Sequence, residues 1–450
     1  MTKDMTTGNP LKLMLLFTFP VLIGNIFQQL YNMVDAIIVG QFLGADALGA
    51  VGAVGSLMFL VLGFANGLAQ GFGVAVSHAF GAKDGKLLKH YVALALMLTV
   101  IISVLLTVPT LLHCRELLLW LNTPADIIDM GEEYLAVIFA GIIFTMAYNV
   151  AAGILRGIGD SKTPLYFLIF SSILNVFLDL FMIVVLKMGT AGAAYATVIS
   201  QGVSAFLCFA YMFWKFEILR TTREDYYFDF ASMKKMLSIG IPMALNYSIT
   251  ALGLTVMQAA VNVFGSGVVT AYTAASKVFN LVMQIPSSLG VTMSTYCGQN
   301  LGAQKYDRIY QGLRYGFFLS FAIAVVSFIC CVQGGNLFIR LFLTDPSEEI
   351  LYYGMHYLKI VSVFFTFLSW IFVYRCSLQG LDQGFIPMVS GLLEFAVRYV
   401  VIRSFSEKYG YTAVCLADPV TWIATAALLM AAYYHWKYRQ KKKAAQAIHS

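Results

Sequence analysis

Four polar residues stand out against an almost wholly apolar background. Asp35 is the single acid in 13–42, a largely apolar stretch of about thirty residues that Pro20 also interrupts. About 20 apolar residues already span a bilayer core. A carboxylate inside such a span is costly enough to imply a function. Asn175 and Asp179 sit four residues apart in 165–187, a spacing that puts both on one helical face. Thr197 falls early in the next apolar segment, 190–214. Two carboxylates brought together repel one another, and a proton or a small cation such as Na+ relieves the repulsion. Asp35, Asn175, Asp179 and Thr197 therefore make a candidate cation-responsive site. A second candidate is Glu394 with Arg398, again four apart. It is either an internally neutralised ion pair or a cavity-lining substrate or gating site. Lys277, Asp418 and His78 are single polar residues with packing or interfacial roles.

Positioning these groups requires membrane helices. The chain is 59% hydrophobic and 12% charged, against about 25% charged for a soluble domain. Apolar segments of spanning length recur at about 13–42, 47–77, 91–113, 130–154, 165–187, 190–214, 236–264, 268–297, 312–333, 354–376, 386–403 and 411–436. They are too long and too uniformly apolar for barrel strands. The expected fold class is an all-α polytopic membrane protein of twelve transmembrane helices. Asp35 falls roughly 33 Å along its helix and Asp179 roughly 21 Å along its own, at 1.5 Å per residue. Both then lie toward the outer part of the membrane. An interior proline removes a backbone hydrogen bond and bends a helix, so Pro20 is a candidate hinge in the Asp35 helix.

Loop charges give the orientation. Twenty-one Lys and Arg fall on the loops that share a side with both termini, and six on the other: Arg115, Lys187, Arg340, Lys359, Arg403 and Lys408. The positive-inside rule then places both termini in the cytoplasm. The basic run 437–443 reads as a topology anchor. No small-residue cleavage site follows the first apolar run, so it reads as a retained helix and not a signal peptide.

The chain also repeats. A shift of 222 residues pairs Pro20 with Pro242, Leu30 with Leu252 and Val34 with Val256. Gly81-Ala82 pairs with Gly302-Ala303 after a one-residue slip, and Pro164 later matches Pro387. The expected organisation is an N-terminal six-helix lobe (1–214), a cytoplasmic linker (215–235) and a C-terminal six-helix lobe with a basic tail (236–450). An even number of helices per half makes these parallel repeats, related by a pseudo-two-fold axis along the membrane normal, an arrangement suited to alternating access. The acids are not repeated: Asp35 aligns with Met257 and Asp179 with Ile402. The seven cysteines have no metal-type or disulfide-type spacing. No P-loop, GxSxG or HExxH is present, which leaves an ATP-driven pump or an enzyme unsupported. Flexible methionines and aromatics suit variable apolar cations, although most must pack helices or face lipid.

Over nearly its whole length the chain resembles the multidrug and toxic compound extrusion (MATE) family. The resemblance is carried by Val34-Asp35-Ala36-Ile37-Ile38-Val39-Gly40, by Leu155-Arg156-Gly157-Ile158-Gly159-Asp160-Ser161-Lys162-Thr163-Pro164, by Asn175 with Asp179, and by the Gly81-Ala82 and Gly302-Ala303 loops. It implies a twelve-helix, two-lobed antiporter that exports cationic, amphipathic drugs in exchange for H+ or Na+, without a cofactor. It also implies that Asp35, Asn175, Asp179 and Thr197 form the cation site, with Na+ if bound held by Asp35 and Asp179, and that Pro20 matches a bending first helix. NorM-type members carry acids in helices seven and ten, whereas 243–264 and 355–374 here contain none. The chain therefore looks closer to the DinF-like branch. The expected setting is a bacterial-type cytoplasmic (inner) membrane, with small-molecule drugs and lipid as partners, no nucleic acid, and a monomer. A lipid-linked saccharide flippase of the same superfamily is the alternative. It calls for a strongly basic cavity, and Lys277 and Arg398 are the clear intramembrane cations. A major facilitator porter is disfavoured because 81–86 lacks the Gly-xxx-Asp-Arg-x-Gly-Arg loop. A receptor is disfavoured because no sizeable soluble domain is present to relay a signal.

Overall fold

The computed structural model describes residues 3–121, 123–343 and 346–449. Fifteen α-helices run in chain order: α1 (Pro10–Leu43), α2 (Ala45–Gly81), α3 (Gly85–Leu112), α4 (Cys114–Trp120), α5 (Ile128–Ala140), α6 (Ile142–Gly157), α7 (Lys162–Leu180), α8 (Gly189–Lys215), α9 (Phe230–Asn262), α10 (Ser266–Gly302), α11 (Tyr306–Phe342), α12 (Glu348–Val363), α13 (Phe365–Gly380), α14 (Phe385–Tyr409) and α15 (Tyr411–His449). No strand occurs among the described residues. Helix suits lipid because it satisfies backbone N–H and C=O groups within one segment.

Among the described residues nine helices are long and apolar enough to span a bilayer alone, and the bent pairs α5–α6 and α12–α13, each taken as one span, bring the number to eleven. The 37-residue α10 has the length too, but carries Lys277 and a polar C-terminal half. With α10 counted, the described residues hold twelve candidate spans, with one departure from the sequence expectation. Segments four and ten are broken, by 48° between α5 and α6 and by 54° between α12 and α13. Each helix ends at one residue, Gly141 or Phe364, and a new one starts immediately beyond it.

Local chemistry starts the helices. Asn9 Oδ1 accepts from Lys12 N at 3.2 Å, with Pro10 in the first turn of α1. Asp84 Oδ1 accepts from Leu87 N at 3.0 Å at α3. Such caps satisfy amides that the helix cannot pair internally. In the linker, Asp229 is held below the usual carboxylate range by hydrogen bonds from the Ser232 side chain, Ser232 N–H and Ala231 N–H. Inside the spans, hydroxyls return to the preceding turn: Thr99 Oγ1 donates to Ala95 O at 2.7 Å and Ser200 Oγ to Ala196 O at 2.7 Å. Outward faces are apolar, as at Leu105, Phe177 and Phe206, where lipid takes the place of water.

The chain divides into two compact units, Met1–Ser248 with Gly298–Tyr306, and Ile249–Cys297 with Asp307–Ser450. The first unit has a core around Leu68, Phe72, Leu94, Val150 and Ile154. A second cluster includes Val39, Leu118, Leu135 and Phe139. Close helix approach depends on glycine. A Cβ at Gly67 would lie 2.5 Å from the Ala244 Cα, and one at Gly71 would collide with the Gly240 backbone. The string Gly63, Gly67, Gly71 thus serves packing.

Candidate functional site

Four helices of the first unit converge on the predicted residues. α1 supplies Tyr31 and Asp35 one turn apart, α5 supplies Tyr134, α7 supplies Asn175 and Asp179, and α8 supplies Thr197. A π-helical turn, Phe181–Val185, begins two residues after Asp179. Turns of this kind recur at functional sites because they interrupt the regular backbone ladder. Asn175 and Asp179 are fully buried, while Asp35 and Thr197 are half-buried.

The contacts are specific. Tyr31 Oη donates to Thr197 Oγ1 at 3.2 Å, and Asn175 Nδ2 donates to the same oxygen at 3.4 Å. The Asp35 and Asp179 carboxyl groups lie within electrostatic reach of one another. Tyr134, 3% exposed, lies within electrostatic reach of both carboxyls and of Tyr31. Both carboxyl oxygens of Asp179, one of Asp35 and the amide oxygen of Asn175 are buried acceptors that no protein donor reaches. Buried acceptors without donors cost about 1–3 kcal/mol each. A proton shared by the carboxyls, or a hard cation with oxygen ligands, would satisfy them. The residues fit such an ion by donor type, and no group of three His, Cys, Asp or Glu side chains that could hold a metal ion occurs among the described residues.

Glu394 and Arg398 do not pair with each other. Glu394 meets Arg375 of α13, and Arg398 meets Asp418 of α15, with Nε to Oδ1 at 2.9 Å and Nη2 to Oδ1 at 2.7 Å. The i,i+4 spacing permits an intrahelical pair, but partners on neighbouring helices are in place. Arg375 is a buried α13 residue, and Asp418 is buried in an ion pair rather than standing alone. Pro20 is buried within an unbroken α1. His78 is half-buried at the end of α2, where its carbonyl faces Gly302, and Lys277 is exposed on α10. All seven cysteines are free thiols.

The MatE family model matches this chain twice, over residues 20–181 and 242–402. The chain belongs to the MATE family. Among its relatives, "Probable multidrug resistance protein YpnP" of Bacillus subtilis is 30% identical over 443 residues, which is 96% of this chain and 97% of the relative. "Probable multidrug resistance protein YoeA" of the same organism is 29% identical, over 95% and 94%. A solved structure described as the outward-facing conformation of a multidrug resistance MATE family transporter has a TM-score of 0.90 at 22% identity. The match covers 98% of this chain and 99% of that one, and shows the shared fold.

Within this MATE fold, the string at 155–164 has a structural task. Asp160 Oδ1 accepts from Lys162 N at 3.0 Å and Thr163 N at 3.1 Å, and Oδ2 accepts from Thr163 Oγ1 at 2.7 Å, which caps α7. Gly159, at φ +86°, lies so close to the Lys3 carbonyl that no side chain fits there. The cap fixes where α7 begins, and hence the height of Asn175 and Asp179 on it. Sequence reasoning missed Tyr31 and Tyr134. Tyr31, one turn before Asp35, carried the only usable signal; Tyr134 comes from a distant segment and carried none.

Proposed function

We propose that this chain is a secondary antiporter that exports cationic, amphipathic compounds in exchange for H+ or Na+. On this reading it works by alternating access, as a monomer, in the cell (cytoplasmic) membrane with both termini cytoplasmic. The observation that carries the reading is the juxtaposition of Asp35 and Asp179 among buried acceptors that lack donors. Two like charges at about 4 Å repel by roughly 4 kcal/mol at an effective dielectric of 20. Repulsion of this kind favours the state holding one added positive charge. The pocket therefore tracks cation availability on whichever side it meets. Pro20 lies in the same helix as Asp35, so a bend in α1 can follow loading. The multidrug names of the YpnP and YoeA relatives support the export reading. The excess of Lys and Arg on the loops that share a side with the termini supports the orientation.

The test uses the full chain in proteoliposomes, with ethidium efflux driven separately by proton and sodium gradients. Asp35→Asn and Asp179→Asn should each abolish gradient-driven efflux while inserting normally, and the gradient that drives the parent identifies the coupling ion. Undiminished efflux by either variant rejects the assignment. Labelled lipid crossing leaflets, with no dye movement under either gradient, would favour the flippase.

A further inference from the structure

The second unit contains the repeat's copy of this pocket. Lys187-x-Gly189 before α8 is matched 221 residues on by Lys408-x-Gly410 before α15, and the two glycines have φ of +60° and +57°. In that register Thr197 corresponds to Asp418. Pro164 and Pro387 set the register of α7 against α14 at 223, so Asn175 corresponds to Arg398. Where Asn175 donates to Thr197 at 3.4 Å, Arg398 donates to Asp418 at 2.9 Å. Tyr134 has its counterpart in Tyr357, also 223 residues on and 1% exposed. Tyr357 packs its ring edge-on against Tyr272 at 5.1 Å, and both tyrosines lie within electrostatic reach of Asp418. At the place of Tyr31 stands Gly253, and a Cβ there would collide with Arg398 Nη1. The room a tyrosine takes in one repeat is thus given to a guanidinium in the other.

The charge pattern is transformed in the same sense. Met257 and Ile402 stand where Asp35 and Asp179 do, leaving Asp418 as the acid of the set. Its partner cation is part of the chain, and both side chains are about nine-tenths buried. Glu394, one turn before Arg398, is engaged by Arg375 and does not compete for it.

We infer that the second unit is a cation pocket permanently loaded by its own side chain: Arg398 is a tethered cation, Asp418 its counter-ion, and the space left open at Gly253 is a guanidinium site. This rests on reading the Asp35–Asp179 pocket as the cation-responsive one. It has a functional consequence: one repeat titrates, the other is fixed in its loaded form, and a transport cycle exchanges cations at a single pocket.

The inference is tested on the purified full chain by following its melting midpoint against millimolar guanidinium. Arg398→Ala should melt several degrees below the parent, and guanidinium should restore the midpoint saturably. The parent and Arg398→Ala/Asp418→Ala should not respond. The inference is overturned by no saturable response in Arg398→Ala, or by an equal response in the double variant. Should Arg398→Ala fail to fold, the charge-free pair Arg398→Met/Asp418→Leu decides. It should keep efflux within about twofold of the parent, because a pocket that never unloads needs no charge, and a tenfold loss at an unchanged midpoint overturns the inference. Running the guanidinium titration in an Asp35→Asn background separates the two readings, since melting does not depend on efflux.

Discussion

At Thr197 a single hydroxyl oxygen holds two helices in register with α8, accepting from Tyr31 on α1 and from Asn175 on α7. Replacing it by valine keeps the volume and removes the acceptor. The fully buried Asn175 amide is then left without a partner, a loss of about 1–3 kcal/mol. Thr197→Val should therefore weaken the apparent affinity for the driving cation by roughly tenfold or more, read from efflux against cation concentration. Thr197→Ser, which keeps the oxygen, should stay near the parent. Equal behaviour of the two would show that the bond plays no part. Asp35, Asn175, Asp179 and Thr197 were legible because polar atoms stand out in apolar spans. Tyr134 was not, because it is one of 25 tyrosines and only the fold packs α5 against α8 and brings Tyr134 within electrostatic reach of the two acids. The intrahelical Glu394–Arg398 pair is absent for a related reason. An i,i+4 rule sees one helix, while the guanidinium reach of Arg398 spans two.

Helices in this protein meet where glycines remove side chains, and one helix shows both environments. In α2, Gly71 faces the Gly240 backbone of α9, whereas a methyl group added at Gly49 would meet no atom within 4 Å. Alanine raises helix propensity at either position by about 0.5–1 kcal/mol. At Gly71 that gain is outweighed by overpacking, which costs about 1–3 kcal/mol because the obstacle is backbone and cannot turn aside. Gly71→Ala should lower the melting midpoint of the solubilised protein and Gly49→Ala should raise it slightly. A rise in both would contradict the tight α2–α9 seam. The existence and order of the spans were readable from hydropathy, since long apolar runs have one solution in lipid. The breaks at Gly141 and Phe364 were not. A glycine inside an apolar run is common, and a phenylalanine gives no break signal at all, so those bends are imposed by packing.

Across the whole molecule, the N-terminal strap links segments that are remote in sequence. Lys3 N donates to Gly159 O at 3.3 Å, Met5 N donates to Gln299 Oε1 at 2.8 Å, and Asn300 Nδ2 donates to Met5 O at 3.2 Å. Gln299 Nε2 also reaches Gly157 O at 2.9 Å, and Lys305 Nζ reaches Thr6 O at 2.8 Å. The Met5 side chain between these bonds is fully buried, as are Gln299 and Asn300. None of this could be read from a terminal run of ordinary polar residues, because its partners lie almost three hundred positions away. The repeat, by contrast, was visible in matched prolines and glycines, whose positions are set by backbone demands that survive side-chain divergence. The strap connects the α7-capping loop to 299–305, so a disturbance at Met5 should spread beyond its own contacts. Met5→Leu keeps an apolar side chain of similar volume and should cost under about 1.5 kcal/mol. Met5→Asp places a carboxylate at a fully buried position, a penalty of several kcal/mol. The expected result is a fall in melting midpoint of about 5 °C or more for Met5→Asp, with faster proteolysis of the 157–163 and 299–305 segments together, and little change for Met5→Leu. Cleavage confined to the first residues, with both loops still protected, would mean that the strap rides on a junction already closed without it.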